Sequence, residues 1–441
     1  MFFENTTCVY CGATLAFMPE RMQMVALSPS TTQDGVWAPL SPTLRDSHPA
    51  VRMCRNRSSE GAACNFTTDA DGAQPYCISC RQTRWLPNLG HASNQLRANK
   101  IENAKRFLFY TLSCLQLTTL QGLPAPVFDF LEELPGHPPV LTGHSNGVIT
   151  LNVAEADDDE RTRRRLALFE PYRTLLGHLR HESGHFYWDI LIRDTAWLAP
   201  FRALFGDERQ DYAQALNHYY ARHPVLTGGT QDNFISTYAT AHPWEDWAES
   251  WAHYMHVMDL LETAADYQLQ LSLPGQHERH TAIHNPFAAP DTPFETLWRQ
   301  GVPLTLMLNS LNRSLGHQDA YPFALSPGAI AKLNFIHSVI GAHRRQWAAS
   351  TPTATAAPPT APPPVTGCRK AFRPPAQPGL RRGSLASSCC STVGETNLRT
   401  SSPPSVAISR TRVLLMNMVS ALGVRKTVSA SGNRCLFMPA S

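Results

Sequence analysis

Residues 179–190 read Leu179-Arg180-His181-Glu182-Ser183-Gly184-His185-Phe186-Tyr187-Trp188-Asp189-Ile190, and this run decides how the chain is read. Tyr172, Leu175, Leu176 and Leu179, continued by Phe186 and Ile190, recur at helical spacing and form one apolar stripe. Pro171 suits the first turn of that helix. His181 and His185 therefore stand at i and i+4, so their imidazoles leave one face a turn apart and can grip one Zn²⁺. Glu182 lies beside them, placed to take a proton from a zinc-activated water rather than to bind the metal. A ferritin-like di-iron centre would need a second Glu-x-x-His on a facing helix, and the sequence supplies none.

Catalytic zinc usually takes three protein ligands and a water, so one more ligand is expected. The run Trp244-Glu245-Asp246-Trp247-Ala248-Glu249-Ser250-Trp251-Ala252-His253 is its best source. It predicts a helix from Trp244 to about Leu261 with Trp244, Trp247, Trp251 and Met255 buried, and Glu245 and Glu249 on the face opposite the tryptophans. Glu245, Glu249 and His253 are all within reach. Glu249 also suits a carboxylate that orients a ligand histidine, as metal sites commonly require. His178, Asp189 and His256 lie within a turn of these motifs and are expected at the surface or in support of the ligands.

Residues 1–90 hold six cysteines among Gly, Asp and Asn, with little periodicity, and predict a small metal-stapled module. Cys77-Ile78-Ser79-Cys80 is a Cys-x-x-Cys knuckle that, with Cys54 and Cys64, supplies four thiolates for a structural Zn²⁺. Cys8-Val9-Tyr10-Cys11-Gly12 is a second knuckle. Either Cys8 and Cys11 join Cys77 and Cys80 and strand the middle pair, or they await partners elsewhere.

From Asn94 to Leu117 the spacing of Ile101, Ala104, Phe107, Leu108 and Leu112 predicts a connecting helix into a domain covering 91–348. Gly147 to Val153 is β-branched and predicts a strand, while the acids from Glu155 to Glu160 ahead of Arg161 suit a helix start. The segment 349–441 is rich in Pro, Ala, Ser and Thr, and such a composition buries too little apolar surface to order itself. Cys114 in the helical pattern reads as a buried thiol. Cys368, Cys389, Cys390 and Cys435 in the tail form no readable site.

The formal charge of +3 hides an imbalance: eleven Lys/Arg and one acid, Glu395, follow Cys368, about +10 against about −7 for the rest. Phosphate binding needs a clustered basic footprint, so the body predicts no specific nucleic-acid groove. No signal-like N-terminus and no spanning apolar run is readable, which predicts a cytoplasmic chain without membrane contact. In a reducing compartment eleven cysteines point to metal ligation or burial rather than disulfides.

The pair His-Glu-Ser-Gly-His and Glu-Asp-Trp-Ala-Glu resembles the gluzincin metallopeptidases, which implies Glu245 as the third ligand. Tyr238, seven residues before Glu245, resembles the arrangement in zinc peptidases of the anthrax lethal-factor type, which implies a hydroxyl that stabilises the oxyanion. The stretch from Phe3 to about Arg345 is similar to a bacterial family of zinc-binding metallopeptidases with an N-terminal zinc ribbon. The resemblance rests on Leu141-Thr142-Gly143-His144, Glu155-Ala156-Asp157-Asp158, Pro171 to Trp188 and His242 to His253. Members of that family carry another Cys-x-x-Cys just before the segment matching Phe2-Phe3-Glu4-Asn5, which implies a clipped start here and a half-liganded first site at Cys8 and Cys11.

The expected architecture is therefore α+β: a zincin-like domain with a small sheet beside the active-site helix, a zinc-ribbon module before it and a disordered tail after it. The expected function is zinc-dependent hydrolysis of a peptide or protein, with one catalytic and at least one structural Zn²⁺. The strand at Gly147 would be an edge that pairs with extended substrate. Two rivals are a catalytically idle zinc protein whose ribbon recruits a protein partner, and a nucleic-acid-binding ribbon.

Overall fold

A computed structural model describes residues 3–58, 63–161, 174–222, 233–271, 281–321 and 324–350. It opens on a five-stranded antiparallel meander made of Thr14–Met18, Gln23–Pro29, Val36–Pro39, Val51–Met53 and Thr67–Asp69, paired in chain order. Side chains alternate across its first strand, as strand geometry requires. Ala16 and Met18 join Val25, Leu27, Leu44 and Val51 in one cluster. Phe17 faces the other way, against Phe66, Phe109 and the four cysteines Cys54, Cys64, Cys77 and Cys80. The sheet gives the metal-stapled module a hydrophobic core of its own, which the sequence reading did not anticipate.

The connecting helix spans Ala92–Cys114 and buries two sides. Ile101, Ala104, Leu108 and Leu112 enter the main core, while Phe109 closes the ribbon's aromatic cluster. Strands from before and after this helix in the chain form a four-stranded sheet of Thr83–Trp85, Val127–Leu131, Val148–Asn152 and Gly143–Ser145, in that spatial order. The first three strands are parallel and the last is antiparallel. Phe128, Phe130, Ile149 and Leu151 turn into the core with Leu179 and Phe186 of the histidine helix.

One sequence expectation changes here. The strand expected at Gly147–Val153 exists as Val148–Asn152 but lies inside the sheet; the edge beside it is Gly143–Ser145. Asn146 (φ 49°) and Gly147 (φ 81°) form the two-residue turn that folds this edge back. An Asn-Gly pair tolerates two successive positive φ angles, which most residues do not. Glu155 lies in the first turn of the 3-10 helix Val153–Ala156, in keeping with the helix start expected of these acids, but it is buried: it accepts from Thr142 Oγ1 at 2.8 Å and pairs with His178 Nδ1 at 2.5 Å.

Six helices follow among the described residues: Leu175–Leu191, Leu198–Phe205, Tyr212–Arg222, Pro243–Asp266, Phe294–Ser314 and Pro327–Ser350. Thr174 caps the first, its hydroxyl accepting from Gly177 N at 2.9 Å. His242 caps the fourth through Trp244 N, with Pro243 at the first helical position, where a missing N–H costs nothing. The helix Pro243–Asp266 crosses Leu175–Leu191 at Gly184. A Cβ on Gly184 would lie 3.0 Å from Ala248 Cα and 3.2 Å from Trp251, so glycine sets how closely the two backbones approach.

Trp247 and Trp251 are buried, as the tryptophan stripe predicts, while Trp244 is half-buried, and the two buried rings also contact the histidine helix. Trp247 Nε1 donates to Gly184 O at 2.8 Å and Trp251 Nε1 to Ser183 Oγ at 3.1 Å, so they clamp the back of the same helix whose front faces Glu245. Pro171, Tyr172, the tail cysteines and the segment 351–441 lie outside the described residues, and the last helix runs to Ser350. No described helix is long and apolar enough to cross a membrane.

Candidate metal centres

His181 and His185 present their rings nearly perpendicular to one another, with centroids 5.0 Å apart, from the buried front of the helix Leu175–Leu191. Glu245 arrives from the first turn of the crossing helix. Its Oε2 stands 2.9 Å from His181 Nε2 and 3.5 Å from His185 Nε2. One donor atom from each of the three residues falls within 4.8 Å of the others, a spacing that suits a single ion. Glu249, one turn further on, meets the other nitrogen of His181: its Oε1 accepts at Nδ1, 2.8 Å away. Ser236 Oγ donates to the remaining Glu249 oxygen at 2.6 Å. The two acids thus occupy opposite nitrogens of one ring. His253 is drawn off to Tyr321, whose hydroxyl lies 2.8 Å from its Nδ1, and burial pushes its pKa down to about 4.

The electrostatics of the trio call for positive charge. Burial opposes ionisation of both His181 and Glu245, yet their mutual hydrogen bonds and charges prevail. His181 is held well above the usual histidine range, and Glu245 well below the usual carboxylate range. A divalent cation would satisfy the same demand in place of the proton. Glu182 Oε2 and His185 Nδ1 have no hydrogen-bond partner among the described residues, although both are buried. Two imidazole nitrogens and a carboxylate oxygen are a zinc donor set, so the residues present fit that metal.

Tyr238 sits with its ring 5.9 Å from that of His181. Burial, reinforced by the Glu245 charge, pushes its phenol well above its ordinary range, so it is a neutral donor. His144 on the edge strand stacks parallel to His185 at 6.5 Å, with its Nε2 accepting from Gly147 N at 3.2 Å. Burial and the His185 charge lower its pKa to about 4. Sequence reasoning missed Tyr212, which begins the helix Tyr212–Arg222 and donates from its hydroxyl to Glu245 Oε1 at 2.5 Å. Only Asp211, whose carboxylate caps that helix through Gln214 N, marked its place in the sequence.

The second cluster is Cys54, Cys64, Cys77 and Cys80, all buried, with sulfurs within 4.8 Å of one another. Backbone amides point at them: Phe66 N donates to Cys64 Sγ at 3.4 Å, Cys77 N to Cys54 Sγ at 3.3 Å and Cys80 N to Cys77 Sγ at 3.4 Å. Such bonds stabilise thiolates. Hydrogen bonds from the neighbouring thiols hold Cys54 far below the usual thiol range, while burial pushes Cys77 far above it. Four thiols this close cannot all ionise without a cation among them. Cys8 and Cys11 belong to neither cluster; Cys11 is exposed, as are Val9 and Tyr10 between them.

Comparison with known proteins agrees with this division. Residues 94–339 match the family described as "Putative zinc-binding metallo-peptidase", and residues 1–91 match a zinc-ribbon domain. Uncharacterized proteins of Mycobacterium tuberculosis and Mycobacterium bovis are each 37% identical to the chain over 343 residues, which is 77% of this chain and 91% of the relative. No solved structure matches.

Proposed function

The chain belongs to this zinc-binding metallopeptidase family, and from that premise we propose that it hydrolyses peptide bonds in a peptide or protein substrate. In this reading His181, His185 and Glu245 hold one zinc ion, with residues 1–90 as the ribbon module and 91–348 as the peptidase domain. Cys54, Cys64, Cys77 and Cys80 hold a structural zinc, and Cys8 and Cys11 offer half of another site. The strongest support is the approach of Glu245, from a separate helix, to within 2.9 Å of His181 Nε2, with Glu182 Oε2 beside it lacking a hydrogen-bond partner among the described residues.

Bound there, zinc would supply a Lewis acid that polarises the scissile carbonyl and acidifies water. Glu182 takes the proton from the attacking water as its oxygen adds to the carbonyl carbon, and passes that proton to the departing amine nitrogen. The neutral Tyr238 hydroxyl donates to the oxyanion. Glu249 fixes the tautomer of His181 by accepting at Nδ1, so that Nε2 keeps its lone pair for the metal. The edge strand Gly143–Ser145 offers unpaired backbone groups to an extended substrate. The buried thiols suit a reducing, cytoplasmic setting.

A second reading, an idle zinc protein whose ribbon binds a protein partner, draws on the exposed Val9 and Tyr10. Cleavage of a quenched peptide library by the zinc-loaded protein, lost in Glu182→Gln, decides between them. Zinc-replete protein that cleaves nothing, or cleavage indifferent to Glu182→Gln, overturns the peptidase reading.

A further inference from the structure

Glu245 uses its two oxygens differently. Oε2 faces the two histidines, while Oε1 accepts from the Tyr212 hydroxyl at 2.5 Å. The tyrosine is held in place: its ring packs edge-on against His242 at 5.2 Å and Trp244 at 5.7 Å. His242 is itself tied at both nitrogens, Nδ1 to Trp244 N at 3.1 Å and Nε2 to Gln210 O at 3.2 Å. The loop before Tyr212 and the turn carrying Glu245 are thereby locked together through one imidazole.

A carboxylate can bind a metal through one oxygen or chelate it through both. Chelation by Glu245 would fill a position that catalysis needs for water or substrate. We propose that Tyr212 is a positioning residue that engages Oε1 and so makes Glu245 a one-oxygen ligand, keeping one position of the metal open. This rests on the reading of His181, His185 and Glu245 as the metal site. Tyr212 does not touch substrate in this scheme, and it acts through Glu245 alone.

The test uses the full chain with cobalt(II), whose visible absorption reports coordination number: four-coordinate cobalt absorbs strongly and five-coordinate cobalt weakly. Wild type should show a strong band over and above that of cobalt in the cysteine cluster, and this excess is lost in His181→Ala. Tyr212→Phe, which keeps the ring and its packing, should retain the fold by circular dichroism, weaken the band, and lower cobalt affinity about 10–100-fold, as loss of a ligand's hydrogen-bond partner does. An unchanged spectrum and affinity in Tyr212→Phe, beside a His181-dependent wild-type band, overturns the positioning role alone. A wild-type spectrum identical to that of His181→Ala, with only the cysteine-bound cobalt visible in both, overturns the metal site itself, and this inference with it.

Discussion

Gly184 and Ala248 lie where the two site helices cross, and a Cβ on Gly184 would stand 3.0 Å from the Cα of Ala248. Because the obstacle is backbone, the helices would have to part. Gly184→Ala should destabilise the fold by roughly 1–3 kcal/mol, the cost of overpacking a close-packed core. It should also weaken zinc binding, since Glu245 lies one turn from Ala248. Urea midpoints and zinc titration of the variant check both, and an unshifted midpoint would show that the crossing yields easily.

The opposite placement of Glu245 and Glu249 on His181 separates their roles. Glu245→Ala should lower bound zinc by about one ion per chain, because two histidines alone make a poor site. Glu249→Ala should keep the ion at about 10–100-fold lower affinity. Metal analysis after dialysis distinguishes them, and the reverse pattern would exchange the two assignments.

Tyr238 should act on turnover alone. Tyr238→Phe is expected to leave zinc content and KM near wild type and to cut kcat, as befits a donor used only in the transition state. A rise in KM at constant kcat would instead make it a substrate-binding residue.

Stability should fall as pH rises from 6.5 to 8. Burial, only partly offset by the hydrogen bond from Tyr110, pushes Glu262 from the ordinary carboxylate range up to about 8. The folded chain therefore holds a proton that the unfolded chain has released, so stability present below the unfolded pKa drains away towards pH 8. Glu262→Gln keeps an acceptor for Tyr110 and should flatten that slope. Equal slopes for both proteins in denaturant titrations would place the ionisation elsewhere.

The cysteine cluster should load independently of the histidine site. Cys64→Ser should cost one zinc and leave the His181-dependent one, whereas His181→Ala should do the converse. Total zinc of three per wild-type chain would mean that Cys8 and Cys11 also find partners.

Much of this arrangement could be read in the sequence because it is periodic. The i, i+4 histidines, the tryptophan-marked helix and the Cys-x-x-Cys knuckle each repeat at the spacing of one element, and their elements formed close to the expected limits. What could not be read was through-space or non-periodic. Leu15, Ala16, Phe17 and Met18 are all buried, so their strand shows no alternation to betray the meander. Asn146-Gly147 did carry a hairpin signal, and reading it would have put Val148–Asn152 inside the sheet. Tyr212 reaches Glu245 across 33 residues of chain, a contact that no spacing rule encodes.

The connecting helix also ties the motions around the two metal clusters together, although each cluster holds its own ion. Tyr110 packs its ring against Phe3 at 5.5 Å and Phe17 at 6.0 Å in the ribbon, while its hydroxyl donates to Glu262 at 2.6 Å on the Glu245 helix. Its neighbour Thr111 donates to Asp259 at 2.7 Å, and Asp259 pairs with Arg180, the residue before His181. Opening the ribbon would uncover this seam and loosen the floor beneath His181. Amide protons of the ribbon strands, the connecting helix and the histidine helix should therefore exchange with solvent as one cooperative unit, and a chelator that strips only the thiolate-bound ion should speed exchange at both ends of Tyr110.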